Sequence, residues 1–584
     1  MSTLPNWDLS DLYSGINDNK IKQDLTNALS RAKRLEDSFK GKIESSSGDA
    51  IAVILKDYED IAANLGRVAT FAYLNFSTNM LESERSEFYQ NSCDEINEVS
   101  KHLIFLGLEL AELSDDVFQD KLKSTKLAHY NSFLRDLRYG RKYNKTQAIE
   151  EILHETSQTA SSAWSRFFDE FLAGLKFIKD DKEYGANEIF HFLSSHDPET
   201  RKSSAKSIAK ALGENIKTFA FITNTLAKDK SINDNIRNFE HPVKSRNVAN
   251  LIEDDVVNSL SDTVQANYAD ISHKYYKYKA GLFGKEYLDY WDRNSPLPKE
   301  IDRKIPWAEA KDIVLTAYHN FSPQMADIAK LFFDKNWIDA DVTKGKDSGA
   351  FSHSAIPDVH PYILLNYQGK TRDVMTLAHE LGHGIHQYLA RKQGYFMAGT
   401  PLTFAETASI FGEQLTFQAL LERCKSSDEK QIMIASKVED MINTIVRQIA
   451  FFEFEKRVHN KRREGELSVK ALSDIWLAVQ RESLGDAIKL DEDYGNFWAY
   501  IPHFIHTPFY VYAYSFGNCL VNSLYETYQS GLPNFEEKYI DMLASGGTRH
   551  HTDLLAPFGL DATKSDFWQR GLNLVKEYIG QLEG

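Results

Sequence analysis

Cysteine is nearly absent: Cys93, Cys424 and Cys519 are the only three in 584 residues, far apart and without a CxxC pair. An odd, sparse set excludes a disulfide framework. Proline is scarce too, at 14, and nothing in the composition is collagen-like or of low complexity. No stretch approaches the roughly 20 apolar residues that a membrane span needs. The start, MSTLPNWDLSDLY, has no basic segment leading into an apolar run, the mark of a secretory leader. A cytoplasmic location is the expectation. Basic charge is in deficit, since 68 Lys and Arg against 84 Asp and Glu leave a net charge of −16. This argues against nucleic acid as the main partner, because phosphate backbones are gripped by basic surfaces. The acidic excess is otherwise a solubility device and selects no substrate.

What fills the chain is helix. Ile21, Leu25, Leu29, Ala32 and Leu35 recur at three and four residues with charged residues between them, and similar patterns run through 51–113 and 427–459. The fold class expected is mainly α, and the length exceeds one hydrophobic core, so at least two lobes are needed. ESSSGD (44–49) reads as a loop. Asp197-Pro198-Glu199 reads as a helix start, with Asp as N-cap and Pro at the first helical position. The run Arg293–Pro306 carries three prolines and is irregular. A boundary near residue 190 divides a helical N-terminal region, 1–190, from a larger region, 191–584. Between Lys344 and Gly369, glycines and prolines break the helical pattern, and a pair of short strands fits best, giving a small antiparallel β element.

Those strands lead into TRDVMTLAHELGHGIHQYLA, from Thr371. Thr371 is the expected N-cap, Asp373 suits the positive end of the helix dipole, and Val374, Leu377, Leu381, Ile385 and Leu389 form a stripe for burial. Within it stands His379-Glu380-Leu381-Gly382-His383. Imidazoles at i and i+4 leave one helical face together, so both can bind one ion without backbone strain. Glu380, turned by about 100° from His379, can reach a water at the metal without binding the metal itself. That arrangement suits metal-activated hydrolysis with a carboxylate base.

A bare HExxH also arises by chance, so the third ligand decides. The metzincin continuation needs Gly at 386 and His at 389, where this chain has His386 and Leu389. The alternative is a glutamate from a following helix. In TFAETASIFGE (403–413), Glu406 stands among Phe404, Ala405, Ala408 and Ile410, an apolar setting in which a carboxylate needs a cationic partner. Glu413, seven residues on and on the same face, is the competing acid. Its polar neighbourhood favours a solvated or supporting role, and Glu406 is the preferred ligand of a zinc site with one open position.

The sequence resembles the oligoendopeptidase F group of the thimet-oligopeptidase-like (M3) metallopeptidases. The resemblance rests on LPNWDLSDLY (4–13), HPYILLNYQGKTRDVMTLAHELGH (360–383), TFAETASIFGE (403–413), RQIAFFEFEKRVH (447–459) and IPHFIHTPFYVYAYSFG (501–517). It implies a two-lobed helical zincin with one zinc deep in a channel that admits short unstructured peptides. It also implies a His–Tyr constellation against the transition state, for which His503 and Tyr510 are the candidates. His506 stands as substitute for His503, and Tyr512 or Tyr514 for Tyr510; Tyr510 and Tyr514 share one helical face, whereas Tyr512 points elsewhere and is read as packing. The reading is a zinc-dependent endopeptidase of oligopeptides with His379, His383 and Glu406 on the metal and Glu380 as base. The rivals are a metallocarboxypeptidase or dipeptidase, which needs a cation for the substrate's terminal carboxylate, and an inactive peptide-binding protein. An edge near Gly349-Ala350-Phe351 would suit an extended peptide added as a strand.

Overall fold

The apolar spacing at the N-terminus produces a helix over Asn19–Phe39, whose Asp18 side chain accepts from the Lys20 N–H and whose Ile21, Leu25, Ala28, Ala32 and Leu35 are buried. The long helix Pro198–Arg237 begins as its sequence dictates, with the Asp197 carboxylate accepting from the Thr200 N–H and Pro198 in the first turn. Within the ESSSGD segment the loop reaches only to Ser47, which is the N-cap of helix Gly48–Thr78, so Gly48 and Asp49 already lie in the helix. This computed structural model describes residues 4–298 and 303–583, so part of the proline-rich run Arg293–Pro306 lies outside the described residues. The protein is mainly helical, and among the described residues no helix is long and apolar enough to cross a membrane.

The chain forms two compact units, and both are discontinuous in sequence. The first comprises Met1–Arg141, Arg303–Arg423 and Thr527–Leu560; the second comprises Lys142–Asp302, Cys424–Glu526 and Asp561–Gly584. A division made by contacts therefore crosses the chain several times, whereas a boundary near residue 190 is a division along it.

In the first unit, Phe351–His353 pairs antiparallel with Tyr362–Leu364, Ser352 opposite Ile363. The sequence-based pair is thus present, and a third strand that the pattern did not reveal, Ile338–Asp339, joins the other side of Tyr362–Leu364 in parallel. Two residues are too few to carry an alternating signal. The opening LPNWDLSDLY packs here: the Ala340 N–H donates to the Pro5 carbonyl at 2.8 Å, and Trp7 sets its edge on Tyr362 with centroids 5.9 Å apart. The N-terminal segment therefore braces the sheet that precedes the metal-motif helix.

That helix runs Thr371–Ala390. Its cap differs from the expectation: Thr371 is the first helical residue, and Asp373 does the capping, its Oδ2 accepting from the N–H groups of Gln368 at 2.8 Å and Lys370 at 2.9 Å. Two N–H groups and the helix dipole favour the ionised carboxylate over a threonine hydroxyl. The predicted stripe is buried along its whole length, from Val374 to Leu389.

Candidate metal centre

The motif helix packs along helix Thr407–Glu422, and Gly382 lets the two backbones approach. A Cβ at this position would stand 2.4 Å from the Ala408 carbonyl oxygen and 2.6 Å from the Ser409 Cα. Only a missing side chain allows that contact. Gly412 plays the same part for Tyr318, whose hydroxyl donates to the Ala378 carbonyl at 2.8 Å and so ties the motif helix from a third direction.

This close crossing brings three ligand atoms together. His379 Nε2 and His383 Nε2 lie 3.1 Å apart, and Glu406 Oε2 lies 3.4 Å from the first and 3.3 Å from the second. A tetrahedral ion with bonds of about 2.0–2.1 Å holds its ligand atoms about 3.3–3.4 Å apart. The three side chains thus already form one face of such a tetrahedron, and the open fourth corner is where a hydrolytic site takes water or substrate.

The charge balance fits a cation equally well. Burial opposes the ionised form of Glu406, but the adjacent imidazoles of His383 and His379 and the Ser409 hydroxyl hold its carboxylate down to about 2. Burial likewise opposes a charged His379, yet the Glu413 carboxylate, with Glu406 and Glu380 behind it, pushes that imidazole up to about 9. Three carboxylates around two imidazoles make a centre that calls for positive charge.

The competing acids separate by the nitrogen each one reaches. Glu413 Oε1 is 2.6 Å from His379 Nδ1, the nitrogen turned away from the triad. It fixes the tautomer that points Nε2 at the metal position, the usual carboxylate–histidine support. Glu406 is less enclosed than its apolar neighbours implied, with 35% of its side chain accessible against 22% for Glu413. It also precedes the helix Thr407–Glu422 rather than lying within it, and its backbone carbonyl accepts from the Ile410 N–H at 3.2 Å. Position rather than burial distinguishes the two acids. Glu413→Ala is expected to weaken metal binding about 10- to 100-fold while leaving the triad in place, as read by competition with a chromogenic chelator.

Ser409, absent from the residues expected at the site, donates to Glu406 Oε2 at 2.7 Å and orients the carboxylate. Its signal was the i, i+3 spacing from Glu406 at a helix start. Glu380 is 5% exposed, and its carboxyl accepts no hydrogen bond among the described residues. Burial raises its pKa above the ordinary range, against the pull of the His379 and His383 charges, as suits a base that must hold a proton for a time. His386 is buried beside the triad with its Nε2 3.1 Å from the Thr400 hydroxyl. Burial first, then the neighbouring His383 charge, drives it down to about 3, and it stays neutral. The strand Phe351–His353 forms the open edge of its sheet, but the Ser352 carbonyl already accepts from Gln387 Nε2 of the motif helix at 3.1 Å.

The His–Tyr candidates fall in the second unit. His503 Nε2 is 3.4 Å from the Tyr514 hydroxyl, and the Tyr510 and Tyr514 rings lie 5.3 Å apart edge to face. Tyr512 is fully buried, its hydroxyl accepting from Asn250 Nδ2 at 2.8 Å, so it packs the interior. His506 is engaged with Asp169 at 2.8 Å. Burial lowers the pKa of His503, with help from His506 and Arg447, and so favours the neutral imidazole.

Comparisons with known proteins bear on the family and the fold. The chain matches the model of peptidase family M3 over residues 191–574 and that of oligopeptidase F over 109–177. It is 26% identical to the oligopeptidase PepF of Bacillus subtilis, covering 93% of this chain and 82% of the relative. It is 27% identical to an oligoendopeptidase F homologue of Borreliella burgdorferi, over 98% of this chain and 96% of the other. A solved structure from Chlamydophila abortus superposes with a TM-score of 0.87 at 24% identity, covering 99% of this chain and 97% of the other. The oligoendopeptidase F of Enterococcus faecium gives 0.71 at 20%, covering 97% and 98%. Two histidines and a glutamate set as a tetrahedral face, inside a family match that covers about two thirds of the sequence, lead to one conclusion: the chain belongs to peptidase family M3.

Proposed function

We propose that this peptidase hydrolyses internal bonds of short, unstructured peptides, with one zinc ion held by His379, His383 and Glu406. The observation that carries the proposal is the triad of ligand atoms 3.1–3.4 Å apart beside the buried Glu380. Two imidazoles and one carboxylate suit zinc. When bound, the ion supplies Lewis acidity, which lowers the pKa of water and polarises a carbonyl. Glu380 takes a proton from the attacking water and delivers it to the leaving amine nitrogen. Glu413 keeps His379 in the ligating tautomer, and Ser409 holds Glu406 in place. His503 and Tyr510 donate hydrogen bonds to the oxyanion of the tetrahedral intermediate. The names of the relatives, oligopeptidase and oligoendopeptidase, favour internal cleavage over a carboxypeptidase or dipeptidase reaction. We place the catalytic region at residues 191–584, with 1–190 as a helical N-terminal region, and the protein in the cytoplasm.

A peptide of about ten residues, acetylated at one end and amidated at the other, tests the proposal. Mass spectrometry is expected to show two internal fragments. No cleavage of the blocked peptide, with release of terminal residues from the free one, would instead establish exopeptidase chemistry.

A further inference from the structure

Glu455, in helix Val446–Glu464, is an acid that the chemistry above does not use. It is 2% exposed. One oxygen, Oε1, accepts from the Phe509 N–H at 2.8 Å, and the other, Oε2, is buried without a hydrogen-bond partner among the described residues. Burial pushes the carboxyl up to about 8, against the opposing pull of the Phe509 N–H and the Arg246 and Lys230 charges. An apolar side chain would fill this position at lower cost.

The partner is equally unusual. Phe509 has a φ of +63°, a left-handed backbone that a bulky residue adopts only when its surroundings enforce it. Two costly features therefore meet at a single hydrogen bond. The next residue is Tyr510. The same turn is gripped from a second side by Arg246, whose Nε donates to the Pro508 carbonyl at 3.2 Å and whose guanidinium carbon lies 5.8 Å from the centre of the Tyr510 ring. His459 closes the third side, its ring 4.9 Å from that of Phe509.

We infer that Glu455 is a positioning residue, which holds the left-handed Phe509 peptide and thereby aims the Tyr510 hydroxyl at the substrate. The inference rests on the proposed role of Tyr510. Strain held in place by an otherwise uneconomical buried acid serves pre-organisation, and a donor displaced by about 1 Å can cost about two orders of magnitude in rate.

The test is a double-mutant cycle on the zinc-loaded full chain with a quenched fluorescent peptide, alongside metal content and thermal unfolding. Tyr510→Phe is expected to lower kcat about 100-fold. Glu455→Met, matched in length but without an acceptor, is expected to lower kcat about 10- to 100-fold with KM changed by less than about threefold. Glu455→Gln, whose amide oxygen still accepts, retains kcat within about threefold. In the Tyr510→Phe background, Glu455→Met costs little more, because the side chain it aims has already lost its hydroxyl. Full kcat in a folded, metal-replete Glu455→Met protein overturns the inference, as does a loss that multiplies with that of Tyr510→Phe. Should Glu455→Met not fold, Glu455→Asp, too short to reach the Phe509 N–H, takes its place with the same expectations. An impaired Tyr510→Phe beside an unimpaired Glu455 variant removes the positioning role alone. A fully active Tyr510→Phe removes the role of Tyr510 and this inference with it.

Discussion

Glu380→Gln protein is expected to bind one metal ion, unfold at the temperature of the unmodified protein and cleave peptides at least about 10³-fold more slowly. The substitution is nearly isosteric. It removes the proton-accepting oxygen from a side chain that takes no part in the triad and, among the described residues, accepts no hydrogen bond whose loss would disturb packing. Buried as it is, an uncharged amide is easier to accommodate than a carboxylate, so stability is expected to hold or rise slightly. The loss falls on kcat and not on KM, because the base acts only as the water attacks. Steady-state kinetics with parallel metal analysis and thermal melts read all three quantities. Wild-type kcat in the metal-loaded variant would remove Glu380 from the chemistry.

Glu406→Ala is expected to fail one step earlier, at the metal. The triad supplies three protein ligands, and loss of one weakens binding by about 10²–10³-fold. The backbone position survives, since the Glu406 carbonyl keeps the Ile410 N–H and Gly382 still lets the two helices meet. Isothermal titration with zinc into metal-free protein measures the loss, and activity returns only in part at high zinc. The companion change Gly382→Ala acts on the same site by another route: its Cβ meets the Ala408 carbonyl at 2.4 Å, spreads the helix pair and draws Glu406 away from the imidazoles. Glu406→Ala protein that holds zinc as tightly as the unmodified chain would show that the third ligand lies elsewhere.

The parts of this site that were legible in the sequence follow from fixed periodicities. HExxH spacing places two imidazoles on one helical face whatever the tertiary setting, and the apolar stripe of the same helix is buried as its pattern requires. Apolar neighbours favour Glu406 over Glu413 in the sequence, yet both acids are partly accessible, and the difference lies in which nitrogen of His379 each one meets. That is a property of the helix crossing, and a crossing is set by Gly382 and Gly412 against partners distant in sequence, Ala408 and Tyr318. The cap at Asp373 was missed because Thr and Asp are both good caps two residues apart, and only the backbone path shows which N–H groups are within reach. The strand Ile338–Asp339 is too short for any pattern. The His–Tyr segment is legible in part: Tyr512 is packed inside, as its spacing suggests, but the helix begins only at Tyr512, so Tyr510 stands before it, and the left-handed Phe509 has no local signal.

In the proposed function, one zinc ion on His379, His383 and Glu406 is what makes the protein a peptidase. Titration of zinc into chelator-stripped protein, with cleavage of the doubly blocked peptide followed at each addition, tests it directly. No cleavage is expected in the stripped protein, followed by a linear recovery that stops at one equivalent and is absent in Glu406→Ala at the same zinc concentrations. Cleavage that persists without metal, or that recovers equally in Glu406→Ala, would contradict it.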